Sequence, residues 1–221
     1  HLSSTGASMI LLESTAVDKR GKISDSDMCL YNNTHEKNLK KLIKFLRSKN
    51  DIKYGIQISH SGRKGSSYEP WIKHNSPLPK KRSWKTLSAS AISRDKGWPK
   101  PSIMTKSQIK KMIQKFKNTA IRARRANFDC LEIHMAHGYL LHQFFSPISN
   151  KRTDEYGGSF INRSRLLDEI ANEVRKVWPQ NKILGARITG TDHLKDGLSI
   201  NDAIALSKIL KKIGFDYVSV S

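Results

Sequence analysis

Short apolar runs alternate with amphipathic stretches along most of the chain. The runs begin at Met9, Tyr54, Cys130, Ile183 and Tyr217, and each ends near turn-forming or polar residues. Runs of this length, apolar on both faces, are typical of buried strands in parallel sheets. We therefore predict five strands.

Four amphipathic segments separate the runs, and each is predicted to be a helix. Thr105 and Ser199 each begin a capping-box pattern, and Ser159 is a further candidate N-cap. The helix over residues 34–48 is expected to bury Leu39, Leu42, Ile43 and Leu46, and the second helix is expected to bury Ile109, Met112, Ile113, Phe116 and Ala120. The third helix is expected to bury Leu166, Leu167, Ile170, Val174 and Val177. The last helix is expected to bury Ala203, Ile204, Leu206, Ile209, Leu210 and Ile213.

Strict alternation of strands and helices predicts right-handed β-α-β units and a parallel sheet. Five strands and four helices fit either an open sheet or most of an eight-fold barrel. No Gly-x-Gly-x-x-Gly or Gly-Lys-Ser/Thr motif follows a predicted strand, which counts against nucleotide-binding open sheets. Polar residues at three successive strand ends, Gln57, His134 and Arg187, favour a (β/α)8 barrel.

Residues 68–101 interrupt this alternation. The segment is rich in proline, lacks periodicity and contains Trp71, Trp84 and Trp98. We predict a long excursion packed by its own aromatic residues, without a second domain. Residues 1–221 are accordingly expected to form a single domain.

Composition narrows the class of protein. The net charge of +21 comes from 40 Lys and Arg against 19 Asp and Glu, which raises the possibility of nucleic-acid binding. The basic residues are spread over every predicted helix, without a basic block or an aromatic stacking platform. We interpret them as solvated helix faces and expect no specific nucleic-acid partner. No apolar run approaches the roughly 18 residues of a membrane span, so no membrane partner is expected either.

The two cysteines, Cys29 and Cys130, lie far apart and lack Cys-x-x-Cys spacing. Neither a disulfide framework nor a cysteine zinc site is indicated, which suits a cytoplasmic location. No signal peptide is visible. The chain opens at His1 without a methionine and closes inside a strand-like run, so we expect it to be truncated at both ends.

The clearest chemical signal follows the central apolar run. The run beginning at Cys130 predicts a buried strand, and Gly138 marks the turn after it. His134, His137 and Tyr139 therefore sit at a strand's carboxyl end, where α/β folds bind substrates. A lone histidine is more often a hydrogen-bonded structural residue. Two histidines and a tyrosine in one turn favour a functional site.

Two other polar residues interrupt predicted strands. Gln57 lies between Ile56 and Ile58, and a buried amide needs a partner on a neighbouring strand or on a ligand. Arg187 lies among apolar neighbours, where a cation needs an anion or an electron-rich acceptor. It is the best candidate for holding a charged cofactor, and the alternative is a salt bridge inside the barrel.

Longer motifs surround these residues. They are Ile-His-Met-Ala-His-Gly-Tyr-Leu at 133–140, Ser-Pro-Ile-Ser-Asn-Lys-Arg-Thr-Asp-Glu-Tyr-Gly-Gly-Ser at 146–159, Gly-Ile-Gln-Ile-Ser-His-Ser-Gly-Arg-Lys at 55–64 and Glu-Ser-Thr-Ala-Val at 13–17. Together they resemble the Old Yellow Enzyme family of FMN-dependent ene-reductases, and the Gly-Arg-Lys turn resembles its thermophilic-type or NADPH-dehydrogenase branch. The resemblance implies a (β/α)8 TIM barrel with FMN at the carboxyl ends of its strands, of which this chain would hold strands two to six.

The resemblance also implies cofactor-binding residues. Gln57 is similar to the glutamine that reads the flavin pyrimidine edge, and Arg187 to the arginine near flavin N1 and O2. Ser14 stands where relatives usually have alanine beside the flavin, a departure expected to alter packing or redox potential slightly. The turn and arginine that hold the FMN phosphate would follow Ser221, so residues 1–221 alone are expected to bind FMN weakly or not at all.

The same resemblance implies the reaction. His134 and His137 are similar to the pair that binds the substrate's carbonyl or nitro oxygen, and Tyr139 to the proton donor. The implied enzyme passes hydride from NAD(P)H through FMN to the alkene of an α,β-unsaturated carbonyl or nitro compound. Its substrate is a small molecule, and the full-length protein is expected to be a homo-oligomer.

Two alternatives stay open. The same motifs head larger relatives, 2,4-dienoyl-CoA reductases and amine dehydrogenases, which carry FMN, an iron-sulfur cluster and further domains. A metal-dependent barrel hydrolase would instead use His134, His137 and His142. The nearest carboxylate, Glu132, is expected to face the opposite side of the strand from these histidines.

Overall fold

The computed structural model describes residues 6–221. The five predicted strands and four predicted helices follow one another in the predicted order, and two further two-residue strands and a six-residue helix, which were not predicted, lie between them. In chain order they are β1 (Met9–Ala16), α1 (Asn33–Arg47), β2 (Lys53–Ser59), β3 (Leu87–Ser88), β4 (Ser102–Ile103), α2 (Lys106–Arg125), β5 (Cys130–Met135), α3 (Leu140–Phe145), α4 (Phe160–Val177), β6 (Ile183–Ile188), α5 (Ile200–Ile213) and β7 (Tyr217–Val220).

Five strands form one parallel sheet in the order β1-β2-β5-β6-β7. Each new strand is added on the same side of the preceding one. A doubly wound sheet would reverse direction partway, because its first strand lies in the middle. Sequential addition with a helix between neighbours is the arrangement of a (β/α)8 barrel, and the chain forms part of such a barrel.

The two faces of the sheet differ in chemistry. Ile58, Ile133 and Ala186 are fully buried in the hydrophobic core that the helices cover. Alternate positions carry polar residues instead, among them Gln57 and Glu132. Because successive side chains of a strand point to opposite faces, this alternation collects the polar groups on the side away from the helices.

The helices agree closely with the sequence pattern. Thr105 and Ser199 form capping boxes, and the Ser159 side chain accepts from the backbone of the first turn of α4. Leu42 and Ile204, predicted to be buried, are 39% and 46% exposed. Each lies one residue from a buried position and therefore about 100° around its helix, at the edge of the apolar face. No helix within residues 6–221 has the length and apolar composition needed to cross a membrane.

The excursion at residues 68–101 is held differently from the prediction. Trp98 is 8% exposed, but Trp71 is 78% exposed, so packing by its own aromatics is wrong for Trp71. Hydrogen bonds from Arg152 instead hold the later part of the excursion. The Arg152 Nη1 donates to the carbonyl oxygen of Ala89 at 3.2 Å and to that of Met104, just after the excursion, at 2.7 Å. β3 within the excursion also pairs with β4 just after it.

Candidate active site

A tight turn follows β5 and places three ring side chains side by side. His137 and Gly138 both have left-handed backbones, with φ of 57° and 67°, and the Tyr139 N–H donates to the Ala136 carbonyl at 3.1 Å. The ring centroids of His134 and His137 lie 4.9 Å apart, and those of His134 and Tyr139 lie 4.7 Å apart. The structure therefore brings together the three residues that the sequence places at this strand end.

The two histidines form a directed hydrogen-bond chain. The Ala136 N–H donates to His134 Nδ1 at 3.2 Å, which leaves the proton of a neutral His134 ring on Nε2. His134 Nε2 is 3.1 Å from His137 Nδ1, and His137 Nε2 is 2.5 Å from Ser221 Oγ. With His134 donating, His137 Nδ1 accepts, and a neutral His137 donates from Nε2 to the hydroxyl.

Both imidazoles are held neutral by their surroundings. Burial, with the neighbouring His137 and Arg187, lowers the pKa of His134 to about 3. Burial also lowers the pKa of His137, assisted by the positive charges of Arg187 and Lys64. At neutral pH the pair is a set of N–H donors without a formal charge.

Tyr139 remains a protonated phenol. Burial raises the pKa of Tyr139, Asp27 adds to the rise, and the positive charge of Arg94 partly opposes it. Lys64 packs above the same turn, with Nζ 2.5 Å from the His137 carbonyl oxygen and 5.6 Å from the centre of the Tyr139 ring. Lys64 was not among the sequence-predicted site residues, because its partner is a backbone carbonyl supplied by the fold.

Arg187 lies on β6 directly beside His134 in the strand register. Its side chain is half-buried, and its Nε is a buried donor with no hydrogen-bond partner. Within residues 6–221, none of the ion pairs includes Arg187, so the salt bridge considered from the sequence does not form there. The guanidinium is therefore a partly buried cation with a free N–H donor, which suits it to bind an acceptor on a ligand.

Gln57 finds its partner on the neighbouring strand. Its Nε2 donates to Glu132 Oε1 at 2.6 Å, and the two residues are paired in the β2–β5 register. The expectation that Glu132 faces away from His134 is wrong. Residues two apart on a strand point to the same face, so Glu132 shares the polar face with His134.

Ser14 lies near the carboxyl end of β1, within an irregularity of the β1–β2 register between Leu12 and Thr15. Its hydroxyl oxygen is 2.5 Å from the Ser59 hydroxyl oxygen on β2. It also lines a cavity of about 540 Å³ formed with the excursion, including Tyr68, Trp71 and Arg94. Ser14, Gln57, His134 and Arg187 thus lie on four adjacent strands.

His142 belongs to a hydrogen-bond network that connects the turn after β5 with Asp192. Its Nδ1 accepts from the Gly138 N–H at 2.6 Å, and its Nε2 is 3.0 Å from Asp192 Oδ1. Although burial opposes the change, hydrogen bonds from His142, Leu198 and Ser146 lower the pKa of Asp192 to about 2. Over residues 6–221 no three His, Cys, Asp or Glu side chains converge as metal ligands would.

The polar loop before α4 also serves the scaffold. Asn150 Nδ2 donates to the carbonyl oxygens of Phe144 at 2.6 Å and Tyr156 at 2.7 Å. Arg152 forms a bidentate pair with Asp154, at 2.9 and 2.6 Å. These side chains fix the loop against α3 and the excursion.

Comparison with curated proteins connects this arrangement to named enzymes. The chain is 40% identical over 217 residues to an NADPH dehydrogenase of Bacillus velezensis (strain DSM 23117 / BGSC 10A6 / LMG 26770 / FZB42), covering 96% of this chain and 58% of that protein. It is 39% identical over 230 residues to NADH:flavin oxidoreductase FG08077 of Gibberella zeae (strain ATCC MYA-4620 / CBS 123657 / FGSC 9075 / NRRL 31084 / PH-1), covering 98% and 55%. The chain thus spans somewhat over half the length of these relatives.

Solved structures show the same fold. Morphinone reductase in complex with tetrahydroNAD superposes with a TM-score of 0.83 at 22% identity, covering 99% of this chain and 62% of that one. A 2-naphthoyl-CoA reductase in complex with 2-naphthoyl-CoA superposes with a TM-score of 0.85 at 25% identity, covering 99% and 34%. Residues 1–221 match one family throughout, and the chain belongs to the NADH:flavin oxidoreductase / NADH oxidase family.

Proposed function

We propose that the protein is an FMN-dependent oxidoreductase of the Old Yellow Enzyme type. It would pass hydride from NAD(P)H to the alkene of an α,β-unsaturated carbonyl or nitro compound. The observation that carries the proposal is the cluster of His134, His137 and Tyr139 beside the unpaired Arg187, in a chain of this family. This set provides oxygen-binding donors, a proton donor and a cation together at the carboxyl end of the sheet.

The polar face fits the chemistry of a flavin ring. The buried, unpartnered Nε of Arg187 can donate to a ring carbonyl, and the adjacent positive charge favours a reduced, anionic ring. Gln57 has its amide NH2 on Glu132, which leaves Oε1 to accept from a ring N–H. Ser14 would lie near the ring from the neighbouring strand. When bound, FMN would supply the two-electron hydride chemistry that side chains lack.

The chain's own residues would bind and polarise the alkene substrate. His134 and His137 are neutral N–H donors, and a carbonyl or nitro oxygen accepting from them would be stabilised as it gains negative charge. Tyr139 keeps its proton because burial raises its pKa, so it is suited to protonate carbon. A ligand oxygen accepts from both imidazoles only when each ring turns an N–H toward the ligand. These N–H groups then leave the hydrogen-bond series that the two rings form with Ser221.

A larger reductase is the second candidate. The 2-naphthoyl-CoA reductase superposes on nearly all of this chain, yet the match covers 34% of that protein, so the same fold can form part of a longer polypeptide. A 2,4-dienoyl-CoA reductase or an amine dehydrogenase would add an iron-sulfur cluster to the flavin. Iron and labile sulfide in the purified full-length protein would favour this candidate over a single-barrel enzyme.

We also propose that residues 1–221 form one FMN-binding barrel domain, because residues of the excursion such as Leu87 and Ala89 join the same hydrophobic core as the strands. Both cysteines are free thiols, which supports a cytoplasmic location. A homo-oligomer is proposed from the family resemblance. Limited proteolysis, subcellular fractionation and sedimentation velocity would test these three statements in turn.

The function is tested most directly on the full-length protein. We expect flavin absorbance after purification, and NADPH oxidation that accelerates when cyclohexenone or a maleimide is added. A protein that neither retains nor binds FMN, and that leaves NADPH untouched with both alkenes, would overturn the proposal.

A further inference from the structure

Glu132 is a buried carboxylate that the proposed reaction does not use. It is 2% exposed and lies on the polar face of β5, two residues before His134. Burying a carboxylate is unfavourable unless donors meet both of its oxygens. Here Gln57 Nε2 donates to Oε1 at 2.6 Å, and the Tyr217 hydroxyl donates to Oε2 at 2.9 Å.

Tyr217 holds the carboxylate from the far side. Burial raises the pKa of Tyr217, as do the neighbouring Cys130 and Glu132, so its hydroxyl remains a donor. The ring lies against Gly185 of β6, where an added Cβ would be 2.1 Å from its Cζ. Because the glycine makes room for the ring, the position of the hydroxyl is set by packing.

This arrangement decides which way the Gln57 amide points. An amide turned by 180° has almost the same shape, so packing alone distinguishes its two ends poorly. The reversed orientation would set Oε1 against Glu132, and two acceptors in contact repel. With Nε2 on the carboxylate, Oε1 is the end of the amide left to accept from a ligand.

We propose that Glu132, fixed by Tyr217, is a positioning residue that locks Gln57 with its carbonyl oxygen toward the ligand. The site then selects a ring that presents an N–H donor at this point. The pyrimidine edge of a flavin carries one such donor, the imide N3–H, between two carbonyl acceptors. This inference rests on the proposed function and names the atom by which Gln57 would recognise the cofactor.

The test compares FMN with its N3-methyl analogue, which lacks that donor, in fluorescence titrations of the full-length apoprotein. Loss of one buried hydrogen bond predicts that wild type prefers FMN by about ten- to a hundredfold. In Glu132→Gln the partner at position 132 can donate as well as accept, so Gln57 is free to reverse. We expect FMN affinity to fall about tenfold and analogue affinity to change less than about threefold.

A matched control is available in the same chain. Glu169 accepts from the Tyr156 hydroxyl at 3.0 Å, away from the polar face, so Glu169→Gln is expected to keep the wild-type preference for FMN. Should Glu132→Gln fail to fold by circular dichroism, Tyr217→Phe removes only the hydroxyl and is expected to reduce the preference. Equal weakening of both flavins, or an unchanged preference in the folded variant, would overturn the inference. A wild-type protein that binds neither flavin would instead refute the proposed function.

Discussion

Two polar stretches flank α3, and they use their hydrogen bonds in opposite ways. In the turn from His134 to Tyr139, the rings contact one another, and the imidazole donors lead from ring to ring toward an exposed hydroxyl. In the loop over residues 149–157, Asn150 and Arg152 donate to backbone carbonyls, both of other segments and of the loop itself, and to Asp154. Both stretches are dense polar motifs in the sequence, so the destination of their hydrogen bonds is what distinguishes the proposed site from the scaffold.

Replacing one tyrosine in each stretch should give the largest contrast. Tyr139→Phe removes the proposed proton donor, so we expect alkene reduction to slow by about 10²- to 10⁴-fold, with flavin reduction by NADPH and stability nearly unchanged. Tyr156→Phe should keep the rate and lose about 1 kcal/mol of stability, because its hydroxyl donates to Glu169. Stopped-flow kinetics and urea unfolding of the full-length protein measure both. Equal rates for Tyr139→Phe and wild type would remove Tyr139 from the mechanism.

Replacing Arg152 should give the next largest effect, which is a loss of stability. Its side chain is 8% exposed, and Arg152→Ala leaves Asp154 without its bidentate partner and two carbonyls without a donor. We expect a loss of about 3 kcal/mol in unfolding free energy, with little change in rate per folded molecule. The more exposed Arg165, which donates to the Glu155 carbonyl, provides the matched control. Similar losses in Arg165→Ala and Arg152→Ala would contradict this account of the loop.

Mild acid should lower the stability of the protein through its buried histidines and not through the loop over residues 149–157. Burial lowers the pKa of His134 to about 3 and that of His60, whose carbonyl accepts from Leu140, to about 4, against 6.5 when unfolded. Above pH 6.5 both histidines are neutral in the folded and the unfolded protein, and their contribution to stability is fully present. This contribution is lost as the pH falls toward the pKa values of the folded state. The Arg152 hydrogen bond lowers the pKa of Asp154, so its contribution is lost only below its ordinary 3.8.

We therefore expect stability to fall by roughly 3 kcal/mol between pH 7.5 and pH 5.5, measured by urea unfolding in full-length protein. Arg152→Ala should show the same fall, because Asp154 stays ionised throughout that window. A flat profile from pH 7.5 to 5.5 would show that the two histidines are not buried as described.

Much of the fold follows from periodicity and capping. The short elements β3, β4 and α3 were not predicted, whereas the positions of the five predicted strands and four predicted helices, the capping boxes at Thr105 and Ser199, and the grouping of His134, His137 and Tyr139 all match. They do so because apolar spacing and helix caps are local signals. The assignment of flavin and substrate roles to particular residues stays a prediction.

What the sequence left undetermined depends on contacts between distant segments. Gln57 was known to need a partner, but its pairing with Glu132 comes from the β2–β5 register. The direction of Glu132 could have been inferred, since the two-residue strand repeat places it with His134. Lys64 and Arg152 donate hydrogen bonds to backbone carbonyls of other segments, and no local sequence pattern predicts such acceptors.

The positive φ of His137 limits how the turn can be re-engineered. A β-branched or bulky residue strains this left-handed backbone, whereas glycine adopts it freely and asparagine tolerates it. A β-branched replacement of His137 would thus mix loss of the imidazole with distortion of the loop geometry. His137→Gly and His137→Asn remove the ring while keeping a residue that adopts this backbone, and a library meant to retune selectivity should start from these two.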